Sequence, residues 1–159
     1  IQDGNIKPLI IVLPTYNNEL YQTLSDCPYV EPLYEYEDEK AFTIKYIENM
    51  YGFFGYGLWL VLDKKTGELV ARAGIENRSI DGQNCQELGY LVKKSWQGKH
   101  VAWEVMNHMV DIAKDRFGLE ELYICTMKTN IPSIQLALKL GFTLYAGDTD
   151  GMNIYRKVL

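Results

Sequence analysis

The run Trp96-Gln97-Gly98-Lys99-His100-Val101-Ala102 lies between a short apolar stretch and a long amphipathic one. A strand, a small-residue turn and a helix start together make a geometry that binds phosphate. The first helical turn leaves about four backbone N–H groups without intrahelical acceptors, and the helix dipole adds roughly half a positive charge. Gly98 and Ala102 keep the backbone approachable, and Lys99 adds a movable cation. The run reads as a pyrophosphate cradle or as a plain helix N-terminus. A mononucleotide or ATP site fits worse: there is no Gly-x-x-x-x-Gly-Lys-Ser/Thr loop and no Gly-x-Gly-x-x-Gly after the first strand. A second helix start lies at Asn130-Ile131-Pro132-Ser133, where Asn is a strong N-cap and Pro suits the first turn. The Ser133 hydroxyl in that turn can bond locally.

The elements that must position these residues follow from periodicity. Residues 9–13 read as a strand stopped by Pro14, and 15–36 as loops rich in Tyr, Pro and Asn. Residues 37–50 read as a helix with acidic residues at its start, broken by Gly52, Gly55 and Gly57. Residues 58–62 and 69–75 form two strands joined by a turn ending in Gly67, 77–84 a loop containing Asp81-Gly82, and 87–92 a third strand. Val101, Ala102, Val105, Met109, Ile112, Ala113 and Phe117 repeat at helical spacing, with Gly118 as the cap. A strand at 122–126, a helix at 132–140 and strands at 142–146 and 153–158 complete the chain. The order gives a mixed α/β (α+β) fold: a mostly antiparallel central sheet of about six or seven strands flanked by helices.

The 159 residues suit one domain with one core, and 47% hydrophobic with 23% charged residues is ordinary globular usage. The net charge of −5 argues against nucleic acid as the main partner. The longest apolar runs, 8–14 and 58–62, fall far short of the roughly 20 residues that span a bilayer. Cys27, Cys85 and Cys125 are odd in number and lack metal-ligand spacing, so the expectation is no metal, no disulfide framework and a reducing cytoplasm. No leader-like segment opens the sequence, which agrees with a cytoplasmic location.

Four motifs carry a resemblance: Glu87-Leu88-Gly89-Tyr90-Leu91-Val92, Gln97-Gly98-Lys99-x-x-Ala102, Asn130-x-x-Ser133 and Lys139-x-Gly141-Phe142. Together they resemble the GNAT N-acetyltransferase superfamily, most closely the branch that includes ribosomal-protein N-terminal acetyltransferases. The resemblance covers about 58–159. It implies a single domain over 1–159, with 55–159 as the acyl-CoA-binding core and 1–54 as the variable substrate side. The family's cofactor motif is Gln/Arg-x-x-Gly-x-Gly/Ala, and this chain departs from it in placing His100 where the family has Gly. An imidazole there either crowds the pyrophosphate or donates to it.

The resemblance implies an acetyl-CoA-dependent N-acetyltransferase acting on a primary amine, a small molecule or a peptide N-terminus, by direct attack. The rival is a non-catalytic acyl-CoA-binding regulatory module. A homodimer is compatible with either. The pyrophosphate would sit on Gln97, Gly98, Lys99, His100, Val101 and Ala102. The pantetheine arm would meet Leu91, Val92 and Asn130. Acyl transfer needs a deprotonated amine and a proton for the leaving thiolate. Many family members place a Tyr seven residues after the Asn; here that position is Ala137. Ser133 takes the thiolate role by resemblance, and Glu87, opening the strand that borders the cleft, is the candidate base. Tyr145 and Tyr155 are weaker candidates for the acid. His108 reads as an exposed helix residue and Cys125 as a small buried hydrophobe. The tyrosines of the first third, with Glu31, Glu35, Glu37, Asp38 and Glu39, would suit a cationic amine or simply a solvated helix start.

Overall fold

The computed structural model describes residues 9–12, 41, 44–147 and 151–159. Its strands are β1 (Leu9–Val12), β2 (Leu58–Asp63), β3 (Leu69–Ile80), β4 (Gln83–Val92), β5 (Glu121–Met127), β6 (Thr143–Gly147) and β7 (Met152–Val158). Its helices are a wide π-type helix α1 (Ile47–Phe54), α2 (Val101–Asp115) and α3 (Ile131–Lys139). The strands make one seven-stranded sheet in the order β1-β2-β3-β4-β5-β7-β6. Every pairing is antiparallel except β4 with β5. The expected mixed, mostly antiparallel α/β fold is what the chain adopts.

Two boundaries differ from expectation. Residues 77–84 are not a loop: β3 runs to Ile80, β4 starts at Gln83, and only Asp81-Gly82 turns. Both turn residues have positive φ, 51° and 78°, which matches the right-handed strand twist and lets the ladder continue to the tip. The polar residues Asn77 to Gln86 misled because a hairpin arm with one solvated side needs little apolar content. Gly52 does not break the first helix either. The helix runs through it to Phe54 and ends at Gly55, whose φ of 75° is the left-handed cap that glycine adopts freely.

The core lies between the sheet and the two α-helices. Helix α2 buries Val101, Val105, Met106, Met109, Val110 and Ala113 against Val61, Ala73, Ile75, Leu88, Leu122 and Ile124. Each Val, Leu, Ile or Met among them contributes about 1.5–3 kcal/mol on burial. A smaller cluster of Ile80, Cys85, Tyr123 and Ile154 packs on the opposite face. At the β2–β3 edge, Gly57 O accepts from Ile75 N at 3.1 Å, and a Cβ on Gly74 would fall 1.9 Å from that oxygen. Glycine at 74 is therefore what lets the two backbones meet.

Candidate active site

The site grows out of the one parallel pair. β4 and β5 are registered at a single position, Glu87 opposite Tyr123. β4 is otherwise paired with β3 along its full length, and β5 with β7. The sheet is thus two antiparallel halves joined at one point, and it opens as a wedge beyond Glu87 towards the carboxyl ends of β4 and β5. Each of those ends leads into a helix N-terminus, α2 after β4 and α3 after β5. Ligands of open α/β sheets bind at such carboxyl-end crevices.

The turn before α2 is held from both sides. Lys93 N donates to Val70 O at 2.9 Å, and Gln97 Nε2 donates to Val92 O at 3.1 Å. The Gln97 side chain is therefore a brace on the end of β4. The Lys99 ammonium sits 5.1 Å from the centre of the Trp96 ring. Gly98 and His100 both have positive φ, 71° and 64°. The first backbone bond of α2 runs from Glu104 N to His100 O at 3.0 Å, so the N–H groups of Val101, Ala102 and Trp103 have no intrahelical acceptor. Val101 is buried in the core and offers this turn only its backbone, whereas Gln97, Gly98, Lys99 and His100 are exposed.

His100 is the N-cap of α2 in a left-handed conformation, and its side chain makes no capping hydrogen bond. The departure from Gly noted above thus falls on a backbone position where Gly is favoured. The left-handed conformation costs an L-residue roughly 1–2 kcal/mol.

Successive residues of β4 alternate faces. Leu88 and Val92 enter the main core, and Tyr90 packs against it on the same side. Glu87 shares the other side with Cys85 of the second cluster. There the Glu87 carboxylate is mostly buried and accepts from Arg78 Nη1 at 3.0 Å. Arg78 also reaches Met152 Sδ at 3.9 Å. Sequence reasoning missed Arg78 because it assigned that position to a loop.

Asn130 caps α3, its Oδ1 accepting from Ser133 N at 3.3 Å. Ser133 and Ala137 are the buried residues of α3, four positions apart on one face. Ser133 is 7% exposed. Burial raises the Tyr90 phenol above the usual tyrosine value, and the Ser133 contact pulls the other way. Tyr90 too was missed, although its spacing from Leu88 and Val92 faces it to the core, where a tyrosine hydroxyl needs a partner.

Of the other candidates, Cys125 stands on β5 two residues beyond Tyr123, and the rest lie on α2, β6 and β7. Tyr145 is exposed and stacks edge-on against Tyr123. Tyr155 is buried in the main core, with Asn153 Nδ2 donating to its hydroxyl at 3.4 Å. His108 is exposed on α2, and Cys125 is half-buried beside the second cluster. Tyr46 donates to Glu76 Oε1 at 2.8 Å and accepts from Leu58 N at 3.1 Å. Tyr51 donates to Leu58 O, so it and Tyr46 clamp the start of β2, while Tyr56 donates to Asn77 Oδ1 on β3. Tyr16 to Tyr36 and the acidic residues 31–39 lie outside the described residues. Among the described residues no group of His, Cys, Asp and Glu could hold a metal, and no helix is long and apolar enough to cross a membrane.

A split sheet with a wedge between two parallel strands, closed by two helix N-termini, is the acyl-CoA-type scaffold that the motifs imply. The chain belongs to the GNAT acetyltransferase family, whose acetyltransferase domain model matches residues 14–143. It is 28% identical over 88 residues to YkkB of Bacillus subtilis (strain 168), an uncharacterized protein, a match covering 55% of this chain and 51% of that one. The matched part therefore spans about half the length of that curated relative. Among solved structures it is similar to an acetyltransferase from Agrobacterium tumefaciens str. C58, with TM-score 0.76 and 22% identity over 95% of this chain and 91% of that one. It is also similar to the microcin C7 self-immunity acetyltransferase MccE in complex with acetyl-CoA and AMP (TM-score 0.74, 18% identity, 95% and 92% covered). A third is the ribosomal-protein-S5-alanine acetyltransferase from Vibrio fischeri (TM-score 0.70, 16% identity, 94% and 91% covered). The expected family, with ribosomal-protein acetyltransferases among its structural neighbours, is thus the one found.

Proposed function

We propose that this protein transfers the acetyl group of acetyl-CoA to a primary amine by direct attack, without a covalent enzyme intermediate. The observation that carries the reading is the wedge: two parallel strands joined only at Glu87 and Tyr123, with a helix N-terminus after each. The turn at 97–102 fits a pyrophosphate, because Gly98 and His100 bend the backbone back and three N–H groups of α2 lack intrahelical acceptors. The relative MccE binds acetyl-CoA on the same fold.

Bound acetyl-CoA supplies an activated thioester carbonyl. The backbone at Gln97–Ala102 holds the phosphates, with Lys99 free to swing from the Trp96 ring. The backbone of Leu91 and Val92 and the Asn130 side chain border the pantetheine arm. Glu87 takes the amine proton, directly or through water, on one face of the sheet. Ser133 meets the leaving sulfur on the other. The family resemblance gives residues 1–54 to the acceptor side.

The competing reading, an acyl-CoA-binding regulatory module, draws support from the Arg78–Glu87 ion pair, which already gives that carboxylate a structural partner. Calorimetry with acetyl-CoA tests both: no heat at millimolar ligand overturns them. Acetyl-CoA consumption against a panel of amines and N-terminal peptides then separates enzyme from sensor. Consumption with any acceptor supports the enzyme, and binding without consumption supports the module.

A further inference from the structure

We propose that Gly89 and Leu58 gauge the passage by which the acceptor crosses β4, so that the protein selects primary amines borne on an unbranched CH2 carbon. The inference rests on the acetyl-transfer reading above and narrows the acceptor of that same site.

Gly89 lies inside β4, two residues beyond Glu87 on the same face and on the β4 arm of the wedge. A glycine in a strand interior weakens the strand, through conformational entropy and the missing side chain. The fold itself does not demand one here. Gly89 is not among the glycines with positive φ. Nor is it crowded, in contrast to Gly74, its partner across the ladder, whose Cβ would fall on the Gly57 oxygen. Among the described residues, a Cβ on Gly89 would meet only Leu58 Cδ2 within 4 Å, at an ordinary contact distance of 3.9 Å. Alanine thus fits at 89, and the bare backbone leaves room for one carbon between β4 and Leu58. A strand glycine of this kind marks the close approach of a ligand.

The wall of the gap is fixed in place. Leu58 pairs with Gly74 and leans across towards β4. Its N–H donates to the Tyr46 hydroxyl at 3.1 Å, and its carbonyl accepts from Tyr51. Tyr46 in turn donates to Glu76, which stands directly opposite Glu87 in the β3–β4 ladder. The gap therefore opens beside two carboxylates, a border that suits an arriving ammonium. From this face the amine reaches the thioester by passing over Gly89, with Glu87 beside it to take the proton. A CH2 group next to the nitrogen fills the one-carbon space. A second substituent on that carbon meets Leu58, whose backbone is bonded on both sides and does not withdraw.

The experiment compares acetyl-CoA consumption within two pairs of acceptors: n-butylamine with sec-butylamine, and a glycyl with an alanyl tripeptide. In the pair that is consumed, native protein should favour the unbranched member about tenfold or more in kcat/KM, the usual worth of one misplaced carbon. Leu58→Ala should bring that ratio within about threefold. Gly89→Ala should lower turnover of the unbranched member about tenfold or more, with Tm no lower than native and acetyl-CoA affinity within about twofold by calorimetry. Adding Leu58→Ala to Gly89→Ala should restore part of the loss. Equal use of the two members by native protein overturns the proposal, as does a Gly89→Ala variant within threefold of native turnover. A Gly89→Ala variant that loses acetyl-CoA affinity or stability in step with turnover also overturns it. Consumption of other amines but of neither pair overturns the gauge alone. Acetyl-CoA binding with no amine consumed overturns the reading on which it rests.

Discussion

Glu87 and Tyr90 stand three residues apart on β4 and project to opposite faces of the sheet, the first held by Arg78 and the second packed against the main core. One strand thereby supplies both sides of the wedge with a polar group, at the place where the sheet's two halves part. Under the proposed function, the face of Glu87 would receive the incoming amine. Glu87→Gln should lower kcat by about 10²–10⁴-fold, the usual worth of a general base, with CoA affinity unchanged by calorimetry. A variant within threefold of native activity would remove Glu87 from catalysis.

Arg78→Met removes the partner of a mostly buried carboxylate. Breaking such a pair from one side leaves an uncompensated charge, here discounted for the partial exposure of both groups. Chemical denaturation should give a loss of about 1–2 kcal/mol. In the double variant with Glu87→Gln, much of that loss should be recovered.

His100→Gly should stabilise the fold, because it relieves a left-handed residue whose side chain makes no capping bond. The gain should be about 1 kcal/mol, or about 2–4 °C in Tm for a chain of this size. CoA binding should hold or strengthen. A loss of about 1 kcal/mol or more in affinity would instead make the imidazole a phosphate ligand.

Asn130→Ala should cost about 1 kcal/mol by removing the cap on the Ser133 N–H, and Asn130→Asp should retain most of it. Equal losses in both variants, read by thermal melts, would count against the capping role. A loss of CoA affinity in Asn130→Asp at unchanged stability would point to contact with the pantetheine arm.

Glu104 gives a pH prediction. Burial holds its carboxyl above the ordinary glutamate range, with His108 pulling it down, and among the described residues its buried Oε1 has no hydrogen-bond partner. The folded chain therefore holds this proton more tightly than the unfolded one. The resulting penalty is full at pH above the folded value and fades as pH falls through it towards the ordinary range. Glu104→Gln should accordingly be more stable than native near pH 7, and the difference should shrink on acidification. A difference that is constant with pH in denaturant titrations would refute this.

Much of the fold is legible in local chemistry. The spacing of Val101, Val105, Met109 and Ala113 is helical whatever surrounds it, Pro132 and Asn130 mark a helix start, and Gly67 and Gly118 mark ends. The arms around Asp81-Gly82 read as loop because they carry polar residues whose strand state depends on cross-strand partners. The turn at 97–102 was legible as a phosphate cradle, since helix N-termini bind anions through groups adjacent in sequence. Arg78 was not, since it acquires its role from Glu87 on the far arm of a hairpin.

The sequence alone determined the order of elements, the two helix starts and the motifs that place the chain in its family, because those signals lie within a few residues of one another. Tertiary structure decided which face each β4 residue serves and that the sheet parts beyond Glu87. It also decided that His100 takes a left-handed conformation. Those outcomes depend on register and on contacts between distant segments, and free energies of a few kcal/mol set by packing select them.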